Sequence, residues 1–299
     1  MPMREERTPF DDEFLQRLER LHLVSKRIAA RGPAGLRRSK RMGDGLEFAD
    51  HRPYAPGDDV RFIDWPYYAR MERLFLRLFH EHSEAGVAIL LDTSASMDCG
   101  GSGKFAYALR AAAALAYVAM GAFERVTIQP FADRLARPMQ TGRNRSLILQ
   151  VLEFLAPLRP AGRTDLPECI EQFIRTRTLA GTVVLISDLL ECEETLDRAL
   201  ALLAGRSCEV TVLHIHSPED SRPDLAGAVT LENVENGRTV DMLADEKLLD
   251  SYRSQWAMFV HRCEECCLSR RAIYVPATTD EPFEMLILET LRKAGVLSG

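Results

Sequence analysis

Runs of apolar and β-branched residues recur along the chain, each four to seven residues long and bounded by polar or turn-forming residues. Such runs are typical of strands that are buried on both faces of a sheet. We predict five strands, at residues 87–91, 125–131, 182–187, 209–215 and 272–275. A short edge strand is predicted at 135–139, because an edge position tolerates Pro138.

Between these runs, apolar residues recur at steps of three and four, which predicts helices with one buried face. The predicted helices span residues 11–30, 105–120, 146–155, 166–177, 193–204, 244–268 and 282–293. A β-hairpin is predicted at 229–234 and 238–243, joined by Asn236-Gly237, a pair that favours a type I′ turn. Strands that alternate with helices predict an α/β fold with a doubly wound, mostly parallel sheet.

The pattern changes near residue 85, so we predict two units, residues 1–84 and 85–299. After its first helix, the N-terminal unit has short apolar pieces separated by turns rich in Pro, Gly and Asp, which indicates a loop-and-strand unit. Asp58, Asp59 and Asp64 are close in sequence there. We interpret them as turn residues paired with nearby arginines, rather than as a second metal site.

Polar oxygen-bearing residues follow two of the predicted strands. Asp92, Ser94 and Ser96 alternate directly after the first strand, and Asp188 follows the strand at 182–187. Thr164 lies in a loop flanked by Pro and Gly. The carboxyl edge of an open α/β sheet is where ligands bind, and carboxylates with hydroxyls suit a small hard cation such as Mg²⁺.

These five residues, in this order, resemble the metal-ion-dependent adhesion site of the von Willebrand factor A-type fold. The resemblance implies a doubly wound sheet with helices on both faces, here with a β-hairpin insertion. It also implies that the hydroxyls of Ser94, Ser96 and Thr164 bind Mg²⁺, or another divalent cation such as Mn²⁺ or Ca²⁺. Asp92 and Asp188 would bind the ion directly or through water, and a partner's Asp or Glu would complete its coordination.

A second motif lies in the N-terminal unit and carries a second resemblance. Its residues are Arg52, Tyr54, Gly57, Asp58, Asp59, Arg61, Ile63, Asp64 and Trp65. Followed by the pattern above, this run resembles the MoxR-associated family catalogued as domain of unknown function 58. The resemblance implies a MoxR-type AAA+ ATPase as partner, in chaperone-like remodelling or maturation of other proteins. We therefore expect a protein-binding module rather than an enzyme.

Two other functions are compatible with the same residues. In a Mg²⁺-dependent phosphohydrolase, Asp92 would be the nucleophile. That chemistry needs a second carboxylate two residues later, where this chain has Ser94. Alternatively, the 52–65 run carries the partner surface of a scaffold and the metal site is vestigial. The glycines before Lys104 do not make a phosphate-binding loop, since Phe105 stands where that motif needs Ser or Thr.

Composition narrows the choice of partners and compartment. The formal net charge of −6 does not favour nucleic acid, and no segment is long and apolar enough for membrane insertion. Seven cysteines without a signal peptide indicate free thiols, so we expect a cytoplasmic protein. The cluster from His261 to Cys267 lacks a second segment of ligands, and we interpret it as thiols on a helix rather than a zinc site.

Overall fold

The computed structural model describes residues 9–29, 42–54, 63–80, 86–101, 103–122, 124–142, 144–176, 181–190, 195–206, 208–235 and 237–293. Its helices are α1 (Asp12–Ala29), α2 (Trp65–Met71), α3 (Lys104–Gly121), α4 (Ile148–Leu155), α5 (Leu166–Thr176), α6 (Leu196–Ala204), α7 (Pro218–Ser221), α8 (Glu246–Ser269) and α9 (Phe283–Lys293). Its strands are β1 (Met42–Pro53), β2 (Phe75–His80), β3 (Gly86–Asp92), β4 (Arg125–Phe131), β5 (Met139–Thr141), β6 (Gly181–Ser187), β7 (Cys208–His216), β8 (Gly227–Glu232), β9 (Thr239–Ala244) and β10 (Ile273–Thr278).

Six strands form one sheet in the order β10-β7-β6-β3-β4-β5. All neighbours are parallel except β4 and β5, so the predicted mostly parallel sheet is confirmed. From β3 the chain continues to β4 on one side, while β6 pairs with β3 on the other. The strand order therefore reverses between β3 and β6, which is where open sheets leave a ligand-binding crevice.

Helices cover both faces of this sheet. Side chains alternate along β3, so Ile89 and Leu91 join one core cluster and Leu90 joins the other. Helices α1, α3, α4 and α9 pack in the first cluster, and α5, α6 and α8 pack in the second. Both faces of β3 are thus buried, which explains its uninterrupted apolar sequence.

Helix α3 lies across the centre of the first layer. Fourteen of its eighteen residues are buried, and many of them are alanines, which allow the helix to approach the sheet closely. Its first residue, Lys104, is also buried. A lysine at this depth requires nearby counter-charges.

The chain divides into a unit of Pro33–Ala85 and a larger unit that joins Met1–Gly32 to Gly86–Gly299. The smaller unit ends at Ala85. Helix α1, which the sequence analysis placed in residues 1–84, packs in the core of the larger unit. Phe14 of α1 contacts Phe283 of α9 with ring centroids 5.1 Å apart, and Arg17 forms an ion pair with Glu284.

The smaller unit contains the antiparallel pair β1–β2 and the short helix α2. Asp64 caps α2, since its side chain accepts a hydrogen bond from the Tyr67 backbone N–H at 2.9 Å. That contact agrees with the structural role expected of Asp64. Asp58 and Asp59 lie outside the described residues.

Two predicted elements have different bounds in the structure. The edge strand is β5, not 135–139, and it pairs with Val126–Ile128 directly after Pro138. Leu135 forms only an isolated bridge with Phe131. The hairpin exists, but its strands end at Glu232 and begin again at Thr239, so the two-residue turn is wrong. Among the described helices, none combines the length and apolarity needed to cross a membrane.

Candidate metal centre

Asp92, at the end of β3, has both carboxylate oxygens in hydrogen bonds. One oxygen accepts from the Ser94 backbone N–H at 2.9 Å, and the other accepts from the Ser187 hydroxyl at 2.6 Å. Asp92 is 1% exposed. The first contact folds the chain back at the end of the strand and so directs the following residues across the sheet edge.

Ser94, Ser96 and Asp188 form a hydrogen-bonded row at the same edge. The Ser94 and Ser96 hydroxyl oxygens are 3.0 Å apart, and Ser96 donates to an oxygen of Asp188 at 3.2 Å. All three side chains are buried. Because β3 and β6 are parallel neighbours, their carboxyl ends bring together residues that are 92 positions apart in sequence.

A strained turn orients Asp188. The next residue, Leu189, is fully buried with a φ of +58°, in the left-handed region that branched side chains rarely adopt. Its backbone N–H donates to the Ser187 hydroxyl at 3.0 Å, and the Leu190 N–H donates to Asp188 at 3.3 Å. Backbone strain of this kind concentrates at functional sites.

Lys104 supplies a positive charge beside the row. Its Nζ donates to Oδ2 of Asp188, the oxygen that Ser96 does not contact, at 2.8 Å, and lies 3.4 Å from Asp220. Burial acts to lower the pKa of Lys104, but the two carboxylates outweigh it, so the net pKa is raised and the amine stays protonated. The lysine therefore balances one of the buried negative charges.

Burial also shifts the ionisation of Asp92. Its removal from water and the repulsion from Asp188 raise the pKa of Asp92 to about 7, against hydrogen bonds from Ser187 and Ser94. A carboxylate this costly to ionise is stabilised by a nearby cation.

Backbone hydrogen bonds hold the loop that carries Thr164 against the same edge of the sheet. Ala161 N–H donates to the Thr93 carbonyl at 2.8 Å, and Ala95 N–H donates to the Gly162 carbonyl at 3.0 Å. Gly162 has a φ of +81°, which a residue with a side chain would adopt only with strain. The loop is thereby tied to the segment that carries Ser94 and Ser96.

The Thr164 side chain itself pairs with the hairpin. Glu235 accepts hydrogen bonds from the Thr164 backbone N–H at 3.2 Å and from its hydroxyl at 3.4 Å. The structure thus links Asp92, Ser94, Ser96 and Asp188 directly, and brings in Thr164 through its loop and through Glu235.

One distance in the row is compatible with binding of a small divalent cation. Two ligands about 2.1 Å from Mg²⁺ and at right angles to each other are about 3 Å apart, close to the 3.0 Å between Ser94 and Ser96. Within the part of the chain that is described, no three His, Cys, Asp or Glu side chains converge as a metal site. Any ion here would depend on hydroxyl oxygens for several of its ligands.

The other candidate ligands lie elsewhere. His214 and His216 point together on β7 but face an aromatic group, and His214 Nδ1 lies 2.6 Å from the Tyr274 hydroxyl. Burial lowers the pKa of His214 to about 3, so it stays neutral. On α8, His261 is exposed whereas Cys263 and Cys267 face the core, so these groups do not converge.

Comparison with known proteins identifies the family. Residues 50–261 match the family described as protein of unknown function DUF58, which is more than half of the chain. The chain belongs to the DUF58 family. Uncharacterized proteins of Mycobacterium tuberculosis (Rv1480) and Mycobacterium bovis (Mb1516) are each 31% identical over 227 residues, covering 74% of this DUF58 chain and 70% of theirs.

Solved structures also resemble this DUF58 protein. The conserved hypothetical protein BatB from Bacteroides thetaiotaomicron is 18% identical with a TM-score of 0.46, covering 71% of this chain and 98% of that one. An aerotolerance-related membrane protein from Bacteroides fragilis is 18% identical with a TM-score of 0.44, covering 70% and 99%.

Three residues of this centre were missed by sequence reasoning. Lys104 carried a signal, because a lysine opening a helix of buried alanines is anomalous. Ser187 lies directly before Asp188 but reads as part of the apolar strand. Glu235 carries no local signal, since only the folded hairpin brings it to Thr164.

Proposed function

We propose that this protein is a metal-dependent protein-binding module, with Mg²⁺ held by Ser94, Ser96 and Thr164 and by Asp92 and Asp188. The observation that carries the proposal is the hydrogen-bonded row of Ser94, Ser96 and Asp188 beside buried Asp92. It lies at the carboxyl edge of adjacent strands, as in the von Willebrand factor A-type adhesion site that the sequence resembles.

When bound, the cation would attract a carboxylate from a partner protein. The protein's own residues prepare the site for this. Ser187 and the Ser94 N–H hold Asp92, the Leu189 turn orients Asp188, and Lys104 neutralises one carboxylate. With less negative charge around it, the ion keeps a stronger attraction for an incoming Asp or Glu. We propose a MoxR-type AAA+ ATPase as the partner, as the resemblance of residues 52–65 to the MoxR-associated family implies.

The phosphohydrolase alternative has less support. A nucleophilic Asp92 would need an oxygen accessible to substrate, yet both of its oxygens are hydrogen bonded and the residue is 1% exposed. Hydrolysis of p-nitrophenyl phosphate that is lost in Asp92→Asn would favour the enzyme.

The test combines metal binding with partner capture. Calorimetric titration measures the affinity for Mg²⁺. We expect this affinity to fall about 10- to 100-fold in Asp92→Ala, because a metal ligand or a group that orients the ligands is lost. Asp98→Ala, an exposed acidic residue of the same turn, serves as the matched control. Lysate of the source cell is then passed over wild-type, Asp92→Ala and Asp98→Ala proteins, in Mg²⁺ and in EDTA.

An AAA+ ATPase retained by wild type and Asp98→Ala only in Mg²⁺ would support the proposal. The same ATPase captured under every condition would favour the scaffold, with its partner surface away from the metal. A wild-type protein that does not bind Mg²⁺ would overturn the proposal.

A further inference from the structure

The β8–β9 hairpin brings a carboxylate of this chain to the proposed metal loop. Glu235, in the hairpin turn, is 71 residues from Thr164 in sequence. Its two oxygens accept from the Thr164 N–H and hydroxyl, at 3.2 and 3.4 Å. The hairpin therefore presents to Thr164 the chemical group that the proposed function expects from a partner.

The turn that carries Glu235 is internally fixed. The Asn233 side chain accepts a hydrogen bond from the Glu235 backbone N–H at 2.9 Å, and the Asn233 carbonyl accepts from Gly237 at 2.8 Å. Gly237 has a φ of +68°, which glycine adopts without strain. The backbone that carries Glu235 is thus held by hydrogen bonds within the turn.

The hairpin as a whole is weakly held. Its strands form a separate two-stranded sheet, and most of their side chains are exposed. Leu231 and Val240, opposite each other near the turn, are 41% and 54% exposed, whereas Ala244 at the base is buried. A two-stranded hairpin is marginally stable by itself, and segments with few buried contacts open at low free energy.

We propose that Glu235 is a built-in competitor for the partner's carboxylate, and that the hairpin turn must leave Thr164 before an external Asp or Glu can bind. The proposal rests on the proposed function and adds regulation of the same site. A tethered carboxylate acts at an effective concentration on the order of millimolar, so a partner binds well only if it gains free energy from further contacts. An isolated carboxylate in solution therefore binds only at a concentration high enough to compete with Glu235.

The experiment uses the full chain in saturating Mg²⁺ and the peptide acetyl-Ala-Glu-Ala-amide as probe. Because the competent state is only a fraction of the docked protein, removing Glu235 should raise the affinity. We expect Glu235→Gln and Glu235→Ala to bind the peptide at least about tenfold more tightly than wild type. Glu232→Gln, an exposed residue of the same hairpin, should match wild type, and the Gln version of the peptide should not bind.

A second measurement follows the hairpin itself. Saturating Glu peptide should accelerate amide hydrogen exchange of the wild-type turn around Asn233 to Gly237, because the turn is released. Unchanged exchange would overturn the proposal.

Other outcomes separate this inference from the proposed function. Equal peptide affinity in wild type and both Glu235 variants, with normal Mg²⁺ binding, would overturn the competitor and leave the metal site intact. A loss of Mg²⁺ affinity beyond tenfold in both variants would make Glu235 a residue that holds the metal, which also overturns it. Failure of wild type to bind Mg²⁺ would remove both proposals.

Discussion

Lys104 lies with its ammonium group fully buried between the carboxylates of Asp188 and Asp220. Taking such charges out of water is costly, and their mutual attraction offsets that cost only while every partner is present. Lys104 also spans two elements, since it opens α3 while Asp188 follows β6. The charge pattern of the candidate site therefore depends on this one side chain.

Replacement of Lys104 by Met should leave Asp188 buried without its cation. We expect Lys104→Met to lower the free energy of unfolding in EDTA by about 3–5 kcal/mol, as for other broken buried pairs. Chemical denaturation measures the loss, with Lys247→Met on the exposed face of α8 as control. A Lys104→Met protein as stable as wild type would contradict the buried ion pair.

The raised pKa of Asp92 predicts a pH dependence. Its folded pKa is about 7, whereas an unfolded Asp ionises near its ordinary value of about 3.9. Between these two pKa values Asp92 is protonated in the folded state and ionised in the unfolded state. The proton on Asp92 therefore stabilises the folded protein at low pH, and this stabilisation is lost as the pH rises through 7. Asp92→Asn has no such loss.

In EDTA, wild type should therefore lose about 3 kcal/mol of unfolding free energy relative to Asp92→Asn between pH 5 and pH 8. Denaturant titrations of both proteins at the two pH values measure the difference. Parallel curves for the two proteins would contradict the raised pKa.

At the scale of elements, helix α1 is a structural part of the larger unit. Phe14, Leu18 and Leu21 of α1 are buried in the first core cluster, where α1 packs with α3 and α9. The sequence predicted the bounds and the apolar face of α1 but not its location, because a helical period does not identify the surface that it covers.

Leu18→Ala should create a cavity in that cluster. We expect it to lower the free energy of unfolding by about 2–5 kcal/mol, the usual range for buried Leu to Ala. Gln16→Ala, on the exposed face of the same helix, should change it by less than about 0.5 kcal/mol. Thermal or chemical unfolding of the two variants decides; equal stabilities would contradict the packing of α1.

Strand positions were predicted well where both faces of the strand are buried. They were predicted less well where a local turn determines the ends of the strand. The run ending at Asp92 is apolar without interruption because both faces are covered, so its position was readable. The hairpin turn was wrong because the Asn233 side chain bonds to Glu235 and closes a longer loop. The edge strand was wrong because the chain turns before Pro138 and pairs only after it.

At the scale of the whole molecule, the order of the strands in the sheet brings the residues of the candidate site together. Ser94, Ser96 and Asp188 could be predicted to meet because parallel neighbours end at the same edge. The contacts of Lys104 and Glu235 could not be predicted. The position of Lys104 at the start of an alanine-rich helix does not identify its partners, and only the folded hairpin brings Glu235 to Thr164. The sequence thus predicted that these side chains meet at one edge of the sheet, and did not predict the charges around them.

Metal binding at this edge should stabilise the larger unit as a whole. At a Mg²⁺ concentration of 100 times Kd, wild type should gain about 2.7 kcal/mol of unfolding free energy. Ser94→Ala should gain less than half of this unfolding free energy. Ser254→Ala, at an exposed position of α8, should gain as much as wild type. Denaturation with Mg²⁺ and with EDTA measures the gains; equal gains in all three proteins would place the ion elsewhere.

The pairing of β3 with β6 also has a consequence for biosynthesis. Ser96 and Asp188 are 92 residues apart, so ribosomes working at 5–20 residues per second make them about 5–20 seconds apart. During that interval β3 can pair with β4 but not with β6, and the amine of Lys104 remains in water without Asp188. The nascent chain therefore completes this edge late, and a chain released before residue 181 would expose one side of β3 to other nascent strands.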